Sequence, residues 1–311
     1  MTINSISTFL FNDVSRADLG RIQTQLVSLQ NEVSSGHKAG DLSGYGSSAG
    51  TLLTARGLIA QKQAYVDSAN SLDARFTATD QSLSAAYDAG ESLRQSILSA
   101  IGNNDGSYVV AKLQASFDSA RTALNVSYQD QALFGGERAG ATPVNVTTLA
   151  QLSAAPSTAS IFDESTRVQT ADLGDGPFAL GQNASAVSTG LFDAMRTLQQ
   201  TIEADGGTLG KPLSASDVTA LQGVATALSA AGATITTAQG LNGDLQKRVA
   251  AKASTLTDHI NEINKTLTSV ADADLAEVAT KINAAQVQYQ AVAQTYSQLS
   301  QMSLLKYLTT P

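Results

Sequence analysis

The last forty residues constrain this chain more than any other stretch. From Leu275 the larger side chains recur at Leu275, Val278, Ile282, Ala285, Tyr289, Val292, Tyr296 and Leu299. Alternating steps of three and four lay a seam along one side of a helix. Between Ile282 and Leu305 there is no charged residue. A solvated surface helix carries Lys and Glu on its far side. Here those positions hold Gln286, Gln288, Gln290, Gln294, Ser297 and Gln298. Such a helix is too polar to cross a bilayer and too poor in charge for a free surface. It is suited to enclosure by other helices, including those of neighbouring subunits.

The other end of the chain has a counterpart. Leu19, Ile22, Leu26, Leu29 and Val33 step in the same alternation, and the first twelve residues are again free of charge. Ser34-Ser35-Gly36 then stops the helix. The two seams predict one assembly interface. Its positions are Leu19, Ile22, Leu26, Leu29 and Val33 with Leu275, Val278, Ile282, Tyr289, Val292, Tyr296 and Leu299. We expect the two helices to pack on each other, within one subunit or between neighbours, and to order fully on assembly.

Between the ends, further seams follow. Ala69 to Ala100 keeps the alternation until Gly102-Asn103-Asn104-Asp105-Gly106 forces a turn. Leu113, Phe117, Ala120 and Leu124 mark a third helix. Helix resumes near Ser188, and a cap at Ser214 to Asp217 opens a seam from Leu221 to Val249 that shifts phase to end at Val270. From Val218 to Tyr307 helix is nearly continuous, roughly 130 Å of rod at 1.5 Å per residue. Around Gln131 to Asn183 the texture changes, with β-like pieces at 143–147 and 166–170. The fold expected is mainly α: long terminal helices paired in a coiled-coil-like rod, with a small β-containing insert in the middle. The expected division is a terminal-helix assembly domain (1–40 plus 272–311), a helical rod domain (41–130 plus 188–271) and the insert (131–187).

Composition narrows the function. Aromatic residues are 5%, there is no Trp, and Pro numbers five. That suits long helices with thin seams better than a thick globular core. A net charge of −8 argues against nucleic acid as a partner. The lack of cysteine excludes disulfides, thiolate zinc sites and thiol catalysis. His37 and His259 stand outside any metal or catalytic motif. The glycines at 44, 46 and 50 miss a dinucleotide fingerprint by one position and suggest a flexible hinge. Asp172 and Asp175 flank Gly174 as in a solvated turn. No catalytic, cofactor-binding or metal-binding residue is therefore expected, and no enzyme. No long, strongly apolar run predicts a membrane span. Met1 to Arg16 lacks the cationic start and apolar run of a cleaved secretory signal.

With that organisation in view, the chain resembles the bacterial flagellin superfamily, over roughly residues 1–135 and 190–308. Arg21 to Leu26 and Val33-Ser34-Ser35-Gly36 look like the family's first helix and its closing turn. Asp272-Ala273-Asp274-Leu275-Ala276-Glu277 is similar to its C-terminal Asp-x-Asp turn. Ala132-Leu133-Phe134-Gly135-Gly136 and the ending Ser303 to Leu308 resemble the hook–filament junction group, the hook-associated protein 3 type. The family's Asp-Asp-Pro is replaced by Asp41-Leu42-Ser43. The resemblance implies an extracellular structural subunit of the flagellum, exported unfolded without a cleaved signal peptide. Its implied partners are itself in a helical polymer, other hook-associated proteins and flagellin, and an export chaperone with the export apparatus. A filament-forming flagellin is the alternative, and a secreted helical effector a more distant one.

Overall fold

The computed structural model describes the backbone of residues 3–138 and 140–308, and the side chains of 13–138 and 140–298. The described helices are α1 (Ile3–Ser35), α2 (Ala49–Asn103), α3 (Val109–Leu124), α4 (Leu149–Ala154), α5 (Ala184–Ala204), α6 (Ala215–Ala271) and α7 (Leu275–Leu308). Two short antiparallel pairs lie in the middle of the chain: β1 (Ser127–Tyr128) with β2 (Gln131–Ala132), and β3 (Thr170–Asp172) with β4 (Pro177–Ala179). The mainly α fold with long terminal helices is the one the seams predict. The chain divides into two compact units, Met1–Lys62 with Asp258–Pro311, and Gln63–Thr257.

In the terminal unit, α1 packs along α7. Helix α1 ends where expected, because Gly36 takes a positive φ of 72° and its N–H reaches the Glu32 carbonyl at 2.9 Å. In the glycine-rich stretch that follows, residues Leu42–Ser48 form 3-10 turns interrupted by a kink at Gly46, which takes a positive φ of 53°. The Asp41 carboxylate caps their start, accepting from Ser43 Oγ at 2.6 Å and Gly44 N–H at 3.0 Å. The Ser43 and Gly44 bonds hold the Asp41 pKa below its ordinary value. Helix α2 then begins at Ala49, well before the periodic run that starts at Ala69. Helix α6 stops at Ala271, and Asp274 Oδ1 accepts from the N–H groups of Ala276 and Glu277 to open α7.

In the central unit, α6 opens with a reciprocal capping pair. Asp217 N–H donates to Ser214 Oγ at 3.1 Å, and Ser214 N–H donates to Asp217 Oδ2 at 3.0 Å. The seam from Leu221 through Leu228, Ile235 and Ala238 to Val249 is buried as read, with Leu245 only half-buried. Helices α2 and α6 run antiparallel, with Gln239 donating to Ser84 Oγ and Gln246 to Thr77 Oγ1. The same core takes in α3 and α5, where Phe117 and Phe192 meet edge to face at 6.1 Å. Helix α6 is long and apolar enough by composition to cross a membrane, contrary to the expectation that no such segment exists. Its apolar stripe is spent on this core, which is why the segment reads as apolar.

The middle segment departs from the sequence reading in detail. Regular helix already ends at Leu124, and α5 begins at Ala184. Residues 143–147 make only one isolated bridge, Val144 with Phe162. Of 166–170, only Thr170 enters a strand. These residues are held by burial rather than by a sheet: Val144, Val146, Leu149, Leu152 and Ile161 join the core built by α2, α3, α5 and α6. The hairpin β3–β4 packs through Leu173 and Leu180 against Ala69, Phe76 and Val249. Its turn matches the expectation, since Asp172 Oδ1 accepts from the N–H groups of Gly174 and Gly176.

Candidate assembly interface

The terminal pair is built from one stripe on each helix. On α1, Ile22 and Leu29 are buried, and Leu19 and Leu26 are half-buried. On α7, Val278 and Ala285 are buried, and Ile282, Tyr289, Val292 and Tyr296 are half-buried. Gln23 Nε2 donates to Tyr289 Oη at 3.3 Å across the pair. Val33 and Leu275 are exposed, at 46% and 53%. Val33 sits in the last turn of α1 and Leu275 is the first residue of α7. The side chain of Leu299, and those of the ending from Ser303 to Leu308, lie outside the described residues.

A clasp closes the end of the pair. Lys38 N–H donates to the Ala271 carbonyl at 2.8 Å, and Ala273 N–H donates to the Gly36 carbonyl at 2.9 Å. His37 Nδ1 lies 3.0 Å from Asp272 Oδ1. Lys38 Nζ reaches the Val270 carbonyl at 3.1 Å. Tyr45 Oη donates to the Ala39 carbonyl at 3.0 Å and lies 3.4 Å from that of Ala271. The last carbonyls of α6, which have no partner within a helix, are thereby satisfied. This places His37 in a structural contact. His259 lies 3.5 Å from Lys62 Nζ. Among the described residues, no group of three or more His, Cys, Asp or Glu side chains converges.

What the pair leaves outward is its distinguishing feature. After the exposed ion pair Lys281–Glu277 at 2.7 Å, every exposed side chain described on α7 is uncharged. Glu277 holds the Lys281 pKa above its ordinary value. Val287 is 65% exposed and stands nine residues from Val278, about 180° around the helix from the buried stripe. The sequence reading missed Val287 because it lies out of phase with the seam it followed. Of the ten large hydrophobic side chains exposed among the described residues, eight are in the terminal unit: Val14, Val27, Val33, Leu42, Leu53, Leu58, Leu275 and Val287. The central unit has only Leu98 and Leu241. The exposed apolar side chains are thus concentrated on the terminal unit.

Residues 225–308 match the family model for the bacterial flagellin C-terminal helical region. Its C-terminal helices are thus similar to those of bacterial flagellins. The chain also shares its fold with solved structures of other proteins. A protein described as a flagellar hook-associated protein from Vibrio parahaemolyticus is 14% identical, with a TM-score of 0.56 over 71% of this chain and 96% of that one. FlgL of Bacillus cereus is 15% identical, with a TM-score of 0.53 over 70% of this chain and 98% of that one. Among curated proteins, no sequence matches. The C-terminal match agrees with the resemblance read from the sequence, and the solved structures agree with the mainly α fold expected there.

Proposed function

We propose that this chain is a structural subunit of the bacterial flagellum that polymerises through its terminal helices at the hook–filament junction. The observation that carries this reading is the outward side of the α1–α7 pair, neutral along the described part of α7 and flanked by exposed apolar side chains. The flagellin C-terminal match supports a flagellar role, and the fold shared with hook-associated proteins supports the junction position. Its partners are its own copies, neighbouring hook-associated proteins and flagellin. Before assembly it is held by an export chaperone and passed unfolded through the export apparatus, without removal of a signal peptide. Its role is mechanical rather than catalytic. The interface comprises Leu19, Ile22, Leu26, Leu29, Ile282, Tyr289, Val292 and Tyr296, which build the pair, together with the exposed positions around it.

Deletion of the gene followed by electron microscopy tests the assignment. A junction protein leaves hooks without filaments while flagellin accumulates in the medium. Hooks without filaments and no flagellin secreted would make the chain the filament subunit instead. Normal filaments on the deletion strain would reject the reading. N-terminal sequencing of the exported protein checks the route, since an intact first residue, or loss of Met1 alone, is expected.

A further inference from the structure

In the central unit, Arg75 of α2 is the one basic residue that is buried among the described residues, at 6% exposure. It has no ion pair there, and its Nε makes no hydrogen bond within the protein. Burial alone pushes its pKa down. A buried N–H without a partner is costly, so what faces it matters. Arg75 lines a small cavity together with Gln169 and Asn183. Gln169 Oε1 and Asn183 Oδ1 are likewise buried without a hydrogen bond. Three orphaned polar atoms on the residues of one cavity are a pattern that a native core does not leave unsatisfied.

The chemistry of the three atoms selects the ligand. The space open to the centre of a water molecule is about 10 Å³, enough for one water and nothing larger. The Asn183 amide is oriented by its own bond, with Nδ2 donating to the Ser165 carbonyl at 2.6 Å, so its oxygen is left as an acceptor. An anion beside Arg75 would therefore face at least one fixed oxygen lone pair. Water matches all three groups: it accepts from one N–H and has two O–H bonds to donate. We propose that this cavity is a built site for one water molecule, which accepts from Arg75 Nε–H and donates to Gln169 Oε1 and Asn183 Oδ1.

The site joins three elements that the chain brings together from distant positions. Arg75 belongs to α2, Gln169 leads into β3 and holds the Leu180 N–H on its carbonyl at 2.7 Å, and Asn183 stands at the start of α5. The water fixes the middle segment onto α2 by direction as well as by burial, which the apolar contacts of Leu173 and Leu180 alone do not do. This inference is independent of the flagellar assignment.

Two measurements test it. A crystal structure of the full chain, at a resolution that shows ordered water, should place one light peak within 2.7–3.2 Å of all three atoms, the ordinary hydrogen-bond range. Crystals soaked in bromide should show no anomalous peak there. A bromide peak would make the site an anion site and overturn the proposal, as would direct contact of Arg75 with the two amides and no peak. In solution, Arg75→Met and Gln169→Met should each lower the thermal midpoint by about 2–4 °C, the shift expected for one hydrogen bond in a unit of this size. Because both act through one water, the double variant should fall no further than the larger single effect. Additive shifts, or single variants without effect, would refute the shared bridge.

Discussion

Val287→Lys is the sharpest test of the assembly surface. Val287 is 65% exposed and lies opposite the buried stripe of α7. A lysine there stays hydrated in the free chain and is, if anything, the better helix former. The thermal midpoint and helix content of the monomer should be unchanged. In a polymer that covers this face, two losses combine. Full burial of a valine is worth ~1.5–3 kcal/mol, so covering the exposed two-thirds contributes about 1–2 kcal/mol per subunit. An unpartnered lysine in the same place costs several kcal/mol more before relaxation. With tenfold in the association constant for each ~1.4 kcal/mol, the variant should polymerise at least ~1000-fold less well. Val287→Gln removes only the apolar part and should cost about tenfold. The assays are circular dichroism, pelleting under polymerising conditions, and motility of the variant strain. A Val287→Lys protein that pellets and swims like the parent would refute the reasoning. Val292 is a poorer site for the same test. It is half-buried in the pair, so a lysine there also unpacks α1 from α7.

Further predictions concern the central unit. Gly136 has a φ of 63°, and a Cβ there would meet the Arg167 carbonyl oxygen and lie 2.8 Å from that of Ser165. Gly136→Ala should therefore destabilise by at least ~1–3 kcal/mol, read as a lower chemical-denaturation midpoint. Ser214→Ala removes half of the cap on α6 and should cost about 1 kcal/mol in the same measurement. Glu91 is held down at about 2 by hydrogen bonds from Arg94 and Gln95. The folded state therefore gains from this carboxylate above its ordinary pKa of 4.5 and loses that gain as pH falls towards 2. Glu91→Gln should flatten the stability profile across that window, by on the order of 1 kcal/mol after screening. Deletion of residues 140–183 should lower the stability of the central unit sharply, because it removes Val144, Leu149, Leu152 and Ile161 from the core.

Helix seams were legible because burial repeats along a helix: Leu221, Leu228, Ile235 and Val249 face one core at regular steps and could be read from spacing alone. Stops were legible where a residue's backbone preference is strong, as at Gly36 and at Asp272 to Asp274. The start of α2 was not. Residues 49–68 bury little beyond Leu52 and so show no clear period. The order of 41–48 was hidden because it depends on one carboxylate, Asp41, rather than on a pattern. The middle segment resisted reading for a different reason. Its residues are fixed by contacts with helices far away in the chain, such as Phe162 against Phe192 at 6.0 Å, and no local periodicity records them. For the interface, spacing found the side chains that hold α1 to α7, but the outward positions follow no seam, and Val287 emerged only from its exposure.

The clasp between residues 36–38 and 271–273 has a mechanical consequence. Its two backbone hydrogen bonds run in opposite directions across the two chain crossings, one donated by Lys38 and one by Ala273. A pull on either terminal helix therefore reaches both crossings at once, and the bonds are loaded in parallel rather than peeled apart one after the other. Tyr45 and the Lys38 ammonium add contacts to the same carbonyl row, spreading tension over several residues. The joint is thus stiff in shear along the helices while remaining only a few residues long.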